Sequence, residues 1–185
     1  MTRPFPSITT DRPYLISQHE RRSDRRCLAE RQVCLTVLCG CFFSADELPI
    51  KEFPGAYAVS TDEINQPGQH WVAFFTINDW IECFDSFGRN PGEYSVHFAR
   101  WLEDTYQVVQ CEMFQSRDST VCGQYCLFFH IIRCHGYIYK DVMSVLSKNA
   151  KINQRFACKF VNKLVKLKTQ EKDKYFLLQS ATKKI

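Results

Sequence analysis

No stretch of this sequence stays apolar for long. The longest such run, Val33 to Cys39, is broken by Thr36 and falls far below the roughly 20 residues a membrane-spanning helix needs. No transmembrane segment and no membrane partner are therefore expected. Met1 to Pro6 carry Arg3 and two prolines with no apolar run, so no secretory signal is expected either. Cys39-Gly40-Cys41 invites a metal reading, but no second close-spaced pair completes four ligands at finger spacing, which argues against zinc. Ten cysteines are present; lying singly in apolar stretches with no signal ahead of them, they read as reduced thiols. That implies an intracellular setting, with the nucleus or a virion included. Internal repeats and low-complexity blocks are also missing.

At 185 residues the chain suits one domain, able to bury about 70% of the surface its unfolded form exposes. Its net charge of +4 is unevenly placed. From Lys148 onward eleven Lys and Arg stand against Glu171 and Asp173, so that end carries +9 and residues 1–147 carry −5. Residues 1–26 are polar, Arg-rich and without sustained periodicity, and read as a disordered basic leader. A folded domain is expected over 27–168 and a polar basic tail over 169–185.

Ser44-Ala45-Asp46-Glu47 fits a capping box, with Pro49 limiting that helix to about a turn. Tyr57 to Ser60 reads as a strand. The aromatic-rich runs His70 to Ile77 and Trp80 to Asp85 flank Asn78-Asp79, a two-residue hairpin turn. Tyr94, Phe98, Trp101 and Leu102 recur at helical spacing and predict an amphipathic helix over Gly92 to Tyr106, with a strand over Val108 to Phe114. Cys122 opens an apolar helix with Cys126, Phe129 and Ile132 on one stripe and Gly136 as its C-cap. Further helices are expected over Asp141 to Ser147 and Lys151 to Lys168. Strands in the middle with helices on either side imply an α+β fold with a central mixed sheet.

Four separated elements carry the chemistry: Gln69-His70-Trp71, Asp85 within Phe84-Asp85-Ser86-Phe87-Gly88, Gln115, and Cys122-Gly123. A thiol in the first turn of a helix meets free amides and the positive end of the dipole, which favour thiolate. Cys122 is thus the best placed of the ten to be a nucleophile, and Gly123 leaves room for an approaching carbonyl. If Asn78-Asp79 closes the hairpin, cross-strand partners sum to 157, and His70 and Asp85 become diagonal neighbours on one face with Cα atoms roughly 7 to 8 Å apart. Asp85 is then positioned to orient His70 as the base for Cys122. Glu82 falls on the opposite face and Asp79 stays at the turn. Trp71, pointing away from His70, is expected against the wall of the site, with an ordinary core tryptophan as the equal alternative. Gln115, seven residues before Cys122, can aim its amide at an oxyanion with the Cys122 backbone N–H as second donor.

Phe53-Pro54-Gly55-Ala56-Tyr57, Gly68-Gln69-His70-Trp71-Val72-Ala73-Phe74, Phe84-Asp85-Ser86-Phe87-Gly88 and the spacing of Gln115 before Cys122-Gly123 resemble the adenovirus-type cysteine endopeptidases. The likeness is greatest to the protease of Polinton/Maverick DNA transposons. These families share a fold, and the order His, Asp/Glu, Gln, Cys, with the SUMO and ubiquitin-like protein proteases. The resemblance covers about Cys41 to Gly136. It implies His70 as base, Asp85 as orienting acid, Cys122 as nucleophile and Gln115 as oxyanion donor, in a thiol endopeptidase that processes capsid or precursor proteins without a metal or organic cofactor. Asp85 stands where the adenovirus enzymes use Glu. Asp104 stands where those enzymes carry a cysteine that binds an activating peptide through a disulfide, so covalent peptide activation is not expected.

Lys151, Arg155, Lys159, Lys163 and Lys166 lie on the same helix as an apolar stripe of Ile152, Phe156, Phe160, Leu164 and Leu167. The helix is expected to dock by the stripe and offer its cations to DNA, which the resemblance also implies as a partner. A solvated lysine face is the plainer reading. His19, His97, His130 and His135 have no motif context and read as structural or solvated, and Cys126 reads as core. The partner expected for the catalytic body is a polypeptide, acted on by a monomer. Two alternatives remain at this level: an isopeptidase acting on ubiquitin or SUMO conjugates, and a noncatalytic, domesticated module binding DNA or protein.

Overall fold

The computed structural model of the chain describes residues 42–110, 112–164 and 166. The basic leader, the polar tail, Cys39-Gly40-Cys41, His19, Cys111 and Leu167 lie outside the described residues. A five-stranded mixed sheet runs in the order β1 (Phe42–Phe43), β2 (Gly55–Ser60), β3 (Trp71–Ile77), β4 (Trp80–Phe84), β5 (Tyr106–Val109). β2, β3 and β4 are antiparallel neighbours, while β1 and β5 join the two edges in parallel. With helices on both faces this is the expected α+β architecture. Among the described residues no helix is long and apolar enough to cross a membrane.

All six residues of β2 are buried, as a strand covered on both faces requires. On one face Tyr57, Val59, Val72, Phe74, Ile81 and Cys83 pack with Phe98 and Leu102 around α1 (Val96–Trp101). On the other, Ala56, Ala58 and Ala73 keep the sheet surface low, and Tyr125, Phe128 and Phe129 of α2 (Cys122–Cys134) come down onto it. Behind α2 lie α3 (Tyr139–Val145) and α4, which runs over 150–164. Arg133, near the end of α2, forms a bidentate ion pair with Glu82 of β4, with its second contact Nη2 to Oε1 at 3.0 Å. Its guanidinium also stacks 4.6 Å from the Phe75 ring centroid.

The hairpin register matches the count from Asn78-Asp79: Ile77 pairs with Trp80 and Ala73 with Phe84. Asn78 takes φ 53°, a left-handed conformation that asparagine tolerates. Gly136, at φ 84° after α2, occupies the expected C-cap region.

Several boundaries differ from expectation for physical reasons. The helix predicted over Gly92 to Tyr106 is shorter and broken. Pro91–Glu93 form a 3₁₀ turn capped by Asn90, Ser95 then caps α1 by accepting from the Phe98 amide at 3.2 Å, and Asp104 ends the segment at φ 59°. The strand predicted over Val108 to Phe114 is instead β5, which follows β4 only as far as Val109 opposite Cys83. Beyond it Gln110 bonds to the Asp85 carbonyl, and the amides of Phe114 and Gln115 to the Ser86 carbonyl, so the chain follows the 85–89 turn rather than the ladder. The Ser44 capping box does not form. Ala45–Glu47 is a 3₁₀ turn in which the Ser44 hydroxyl donates to the Glu47 carboxylate at 2.7 Å instead of capping an amide. α3 starts two residues before Asp141, and α4 starts at 150 with Asn149 accepting from the amides of Lys151 and Ile152.

Candidate active site

β3 begins immediately after His70 and β4 ends immediately before Asp85. The two side chains therefore leave the sheet from adjoining strand ends on the face predicted by the register. His70 Nε2 lies 2.6 Å from Asp85 Oδ1, and both residues are buried. Asp85 is held from every side. Oδ1 also accepts from the Phe87 amide at 2.9 Å, while Oδ2 accepts from the Arg89 amide at 3.0 Å and the Tyr94 hydroxyl at 2.7 Å. Two aromatic rings contact the imidazole, Phe87 at 4.5 Å and Tyr94 at 5.6 Å between ring centroids.

Cys122 is the first residue of α2, a 13-residue helix whose start has no side-chain cap. Its free amides are thus left to act on the thiol. The thiol interacts with His70 and with the backbone N–H groups of Trp71 and Gly123. With Nε2 committed to Asp85, Nδ1 is the ring nitrogen left for the sulfur, and it is buried without a hydrogen-bond partner among the described residues. A Cβ on Gly123 would meet nothing within 4 Å, so the space beside the thiol is open.

These contacts set the charges. Burial alone would lower the His70 pKa, but the Asp85 hydrogen bond and the Cys122 thiolate outweigh it and raise it to about 9. Burial alone would raise the pKa of Cys122, yet the His70 hydrogen bond and charge, then the Trp71 and Gly123 amides, bring it below that of an ordinary thiol. Asp85 is likewise lowered against its burial, chiefly by His70 and then by the Phe87 amide and the Tyr94 hydroxyl. These shifts all favour the charged forms, thiolate beside imidazolium with an ionised carboxylate behind them. By contrast Cys126, one turn along the helix, has its pKa pushed well up by burial.

Gln115 is buried on the segment that leads into α2. Its Oε1 accepts from the Ser86 hydroxyl at 2.7 Å and its Nε2 donates to the Ser119 carbonyl at 2.7 Å. Trp71 packs on the α2 side of the sheet and meets Phe42 edge-on at 5.5 Å. His70 is thus hydrogen-bonded to Asp85 and interacts with the Cys122 thiol, with Gln115 tied to the turn that carries Asp85.

The remaining candidates sort differently. His130 is buried, bonds the Phe74 carbonyl at 3.2 Å and is driven by burial to a pKa of about 4, hence neutral. His135 bonds the Ile131 carbonyl at 2.7 Å, and His97 meets Glu63 at 3.2 Å on the surface. Lys151, Arg155, Lys159 and Lys163 on α4, and Lys166 beyond its described end, are all exposed. The apolar stripe expected from Ile152 is displaced, because Ile152 is exposed while Asn153 and Ala157 are buried. Asn153 turns inward because its carboxamide satisfies the Ser147 amide at 2.8 Å and the Ser147 carbonyl at 2.7 Å. Phe156 and Phe160 still reach Phe128, each at 5.3 Å.

Ser86, Phe87, Arg89 and Tyr94 received no role in the site from sequence. Ser86 and Phe87 lie within the motif Phe84 to Gly88, and Tyr94 within the predicted helical stripe, so only their position points to the site.

No family profile matches the chain, and no curated protein matches it. Among solved structures, it resembles the crystal structure of the ASFV pS273R protease at 23% identity and TM-score 0.38, over 54% of this chain and 39% of that one. A selenomethionine form of the same protease gives 22% identity and TM-score 0.36, over 56% and 42%. The match spans well under half the length of that protein.

Proposed function

We propose that the chain is a cysteine endopeptidase of the adenovirus-protease and SUMO-protease-like fold group. The observation that carries this reading is the buried Cys122–His70–Asp85 contact chain, whose charges favour thiolate and imidazolium together. Cys122 Sγ attacks the scissile carbonyl. The oxyanion that forms takes hydrogen bonds from Gln115 Nε2 and the Cys122 backbone N–H. His70 gives its Nδ1 proton to the departing amine, then takes one from water to release the acyl group, while Asp85 keeps the ring oriented throughout. Open space at Gly123 is consistent with a chain passing the sulfur. The substrates proposed are capsid or precursor polypeptides of a virus or virus-like element, and the exposed cations of α4 are proposed to contact DNA.

Incubation with capsid-derived polypeptides, and in parallel with ubiquitin and SUMO conjugates, tests the substrate class. Defined fragments from the polypeptides, absent with Cys122→Ala, are expected. Cleavage confined to the conjugates would replace the endopeptidase reading with an isopeptidase one.

A further inference from the structure

We propose that Ser86 is a positioning residue for the oxyanion donor, holding the Gln115 carboxamide in the one orientation that the Ser119 carbonyl admits; this rests on the hydrolase reading above. The carboxamide lies between the Ser119 carbonyl and the Ser86 hydroxyl, each at 2.7 Å. A backbone carbonyl only accepts, so the atom facing it is Nε2. Oε1 therefore faces Ser86, and the hydroxyl donates to it. The flipped amide would set two acceptors against each other with no proton between them.

Ser86 and Gln115 are 1% and 0% exposed, so water does not substitute for the hydroxyl. The Ser86 carbonyl also accepts from the amides of Phe114 and Gln115, both at 2.9 Å. One residue thus grips Gln115 by its backbone and by its head group. Among the described residues the second Nε2–H is claimed by no hydrogen bond, and under the hydrolase reading it is the proton assigned to the oxyanion. Asp85, which orients His70, is the preceding residue. A single dipeptide therefore orients both the base and the oxyanion donor.

Two reactions at the same sulfur separate this role from the rest of the site. Acylation by p-nitrophenyl acetate passes through an oxyanion, whereas alkylation by iodoacetamide displaces iodide without one. With rates corrected by Cys122→Ala, Ser86→Ala is expected to slow acylation about tenfold and leave alkylation within about twofold, because the thiolate is untouched. Ser86→Thr, which keeps the hydroxyl, restores acylation, and Ser86→Ala adds nothing in a Gln115→Ala background. Acylation by Ser86→Ala at the wild-type rate overturns the proposal. So does an equal loss in both reactions, or an undiminished loss in the Gln115→Ala background. Wild-type acylation no faster than that of Cys122→Ala would instead remove the hydrolase reading itself.

Discussion

Asp85 accepts four hydrogen bonds, from His70, Tyr94 and the amides of Phe87 and Arg89, which fills the acceptor sites of a carboxylate. Its negative charge is thereby fixed in place and lent to His70. The sign of the pH dependence follows. The His70 pKa is raised from 6.5 to about 9, so the charge on the ring is fully present below about 6.5 and lost as pH rises through about 9. The Cys122 pKa is lowered, so its thiolate is lost only as pH falls through that depressed value. The two groups titrate as a unit, and kcat/KM is expected to be bell-shaped with its alkaline limb near 9. In Asp85→Asn the carboxylate no longer offsets burial of the imidazolium. The alkaline limb should move down and kcat fall by roughly 10² to 10⁴. A pH–rate profile that keeps its limb near 9 in that variant would show that Asp85 does not support the charge on His70.

At the scale of elements, the hairpin was readable because a two-residue turn fixes register, and register fixes the face of every side chain. That is why counting from Asn78-Asp79 put His70 and Asp85 together and Glu82 opposite. The partner of Glu82 was not readable, since Arg133 lies 51 residues away and only the docking of α2 on the sheet joins them. Helix ends were hidden where a non-glycine residue turns left-handed, as Asp104 does, and where a buried polar side chain rotates a helix, as Asn153 does. Gln115 was legible by its spacing, but its contacts with Ser86 and Ser119 depend on how the 110–121 segment folds back. The Glu82–Arg133 pair anchors the end of the helix that begins with Cys122. Arg133→Met would leave Glu82 buried and unpaired, at a cost of about 3 to 5 kcal/mol. Urea unfolding should show the loss as a lowered midpoint, and an unchanged midpoint would mean that the pair does not hold α2 down.

For the whole molecule, the basic C-terminal end and the body that carries Cys122 are separable in charge, and α4 displays its cations on the surface. Binding of duplex DNA through α4 should weaken steeply as salt rises. Charge reversal at Lys159 and Lys163 should reduce both the affinity and its salt slope; affinity that survives the reversal would point away from α4. The central claim is that Cys122 alone among ten cysteines is an activated nucleophile, and an electrophilic peptide probe with intact-mass and fragment analysis tests it most directly. A single adduct on Cys122, formed near neutral pH and absent from Cys122→Ala, is the result expected. Labelling that persists in Cys122→Ala, or that spreads evenly over the other thiols, would contradict it.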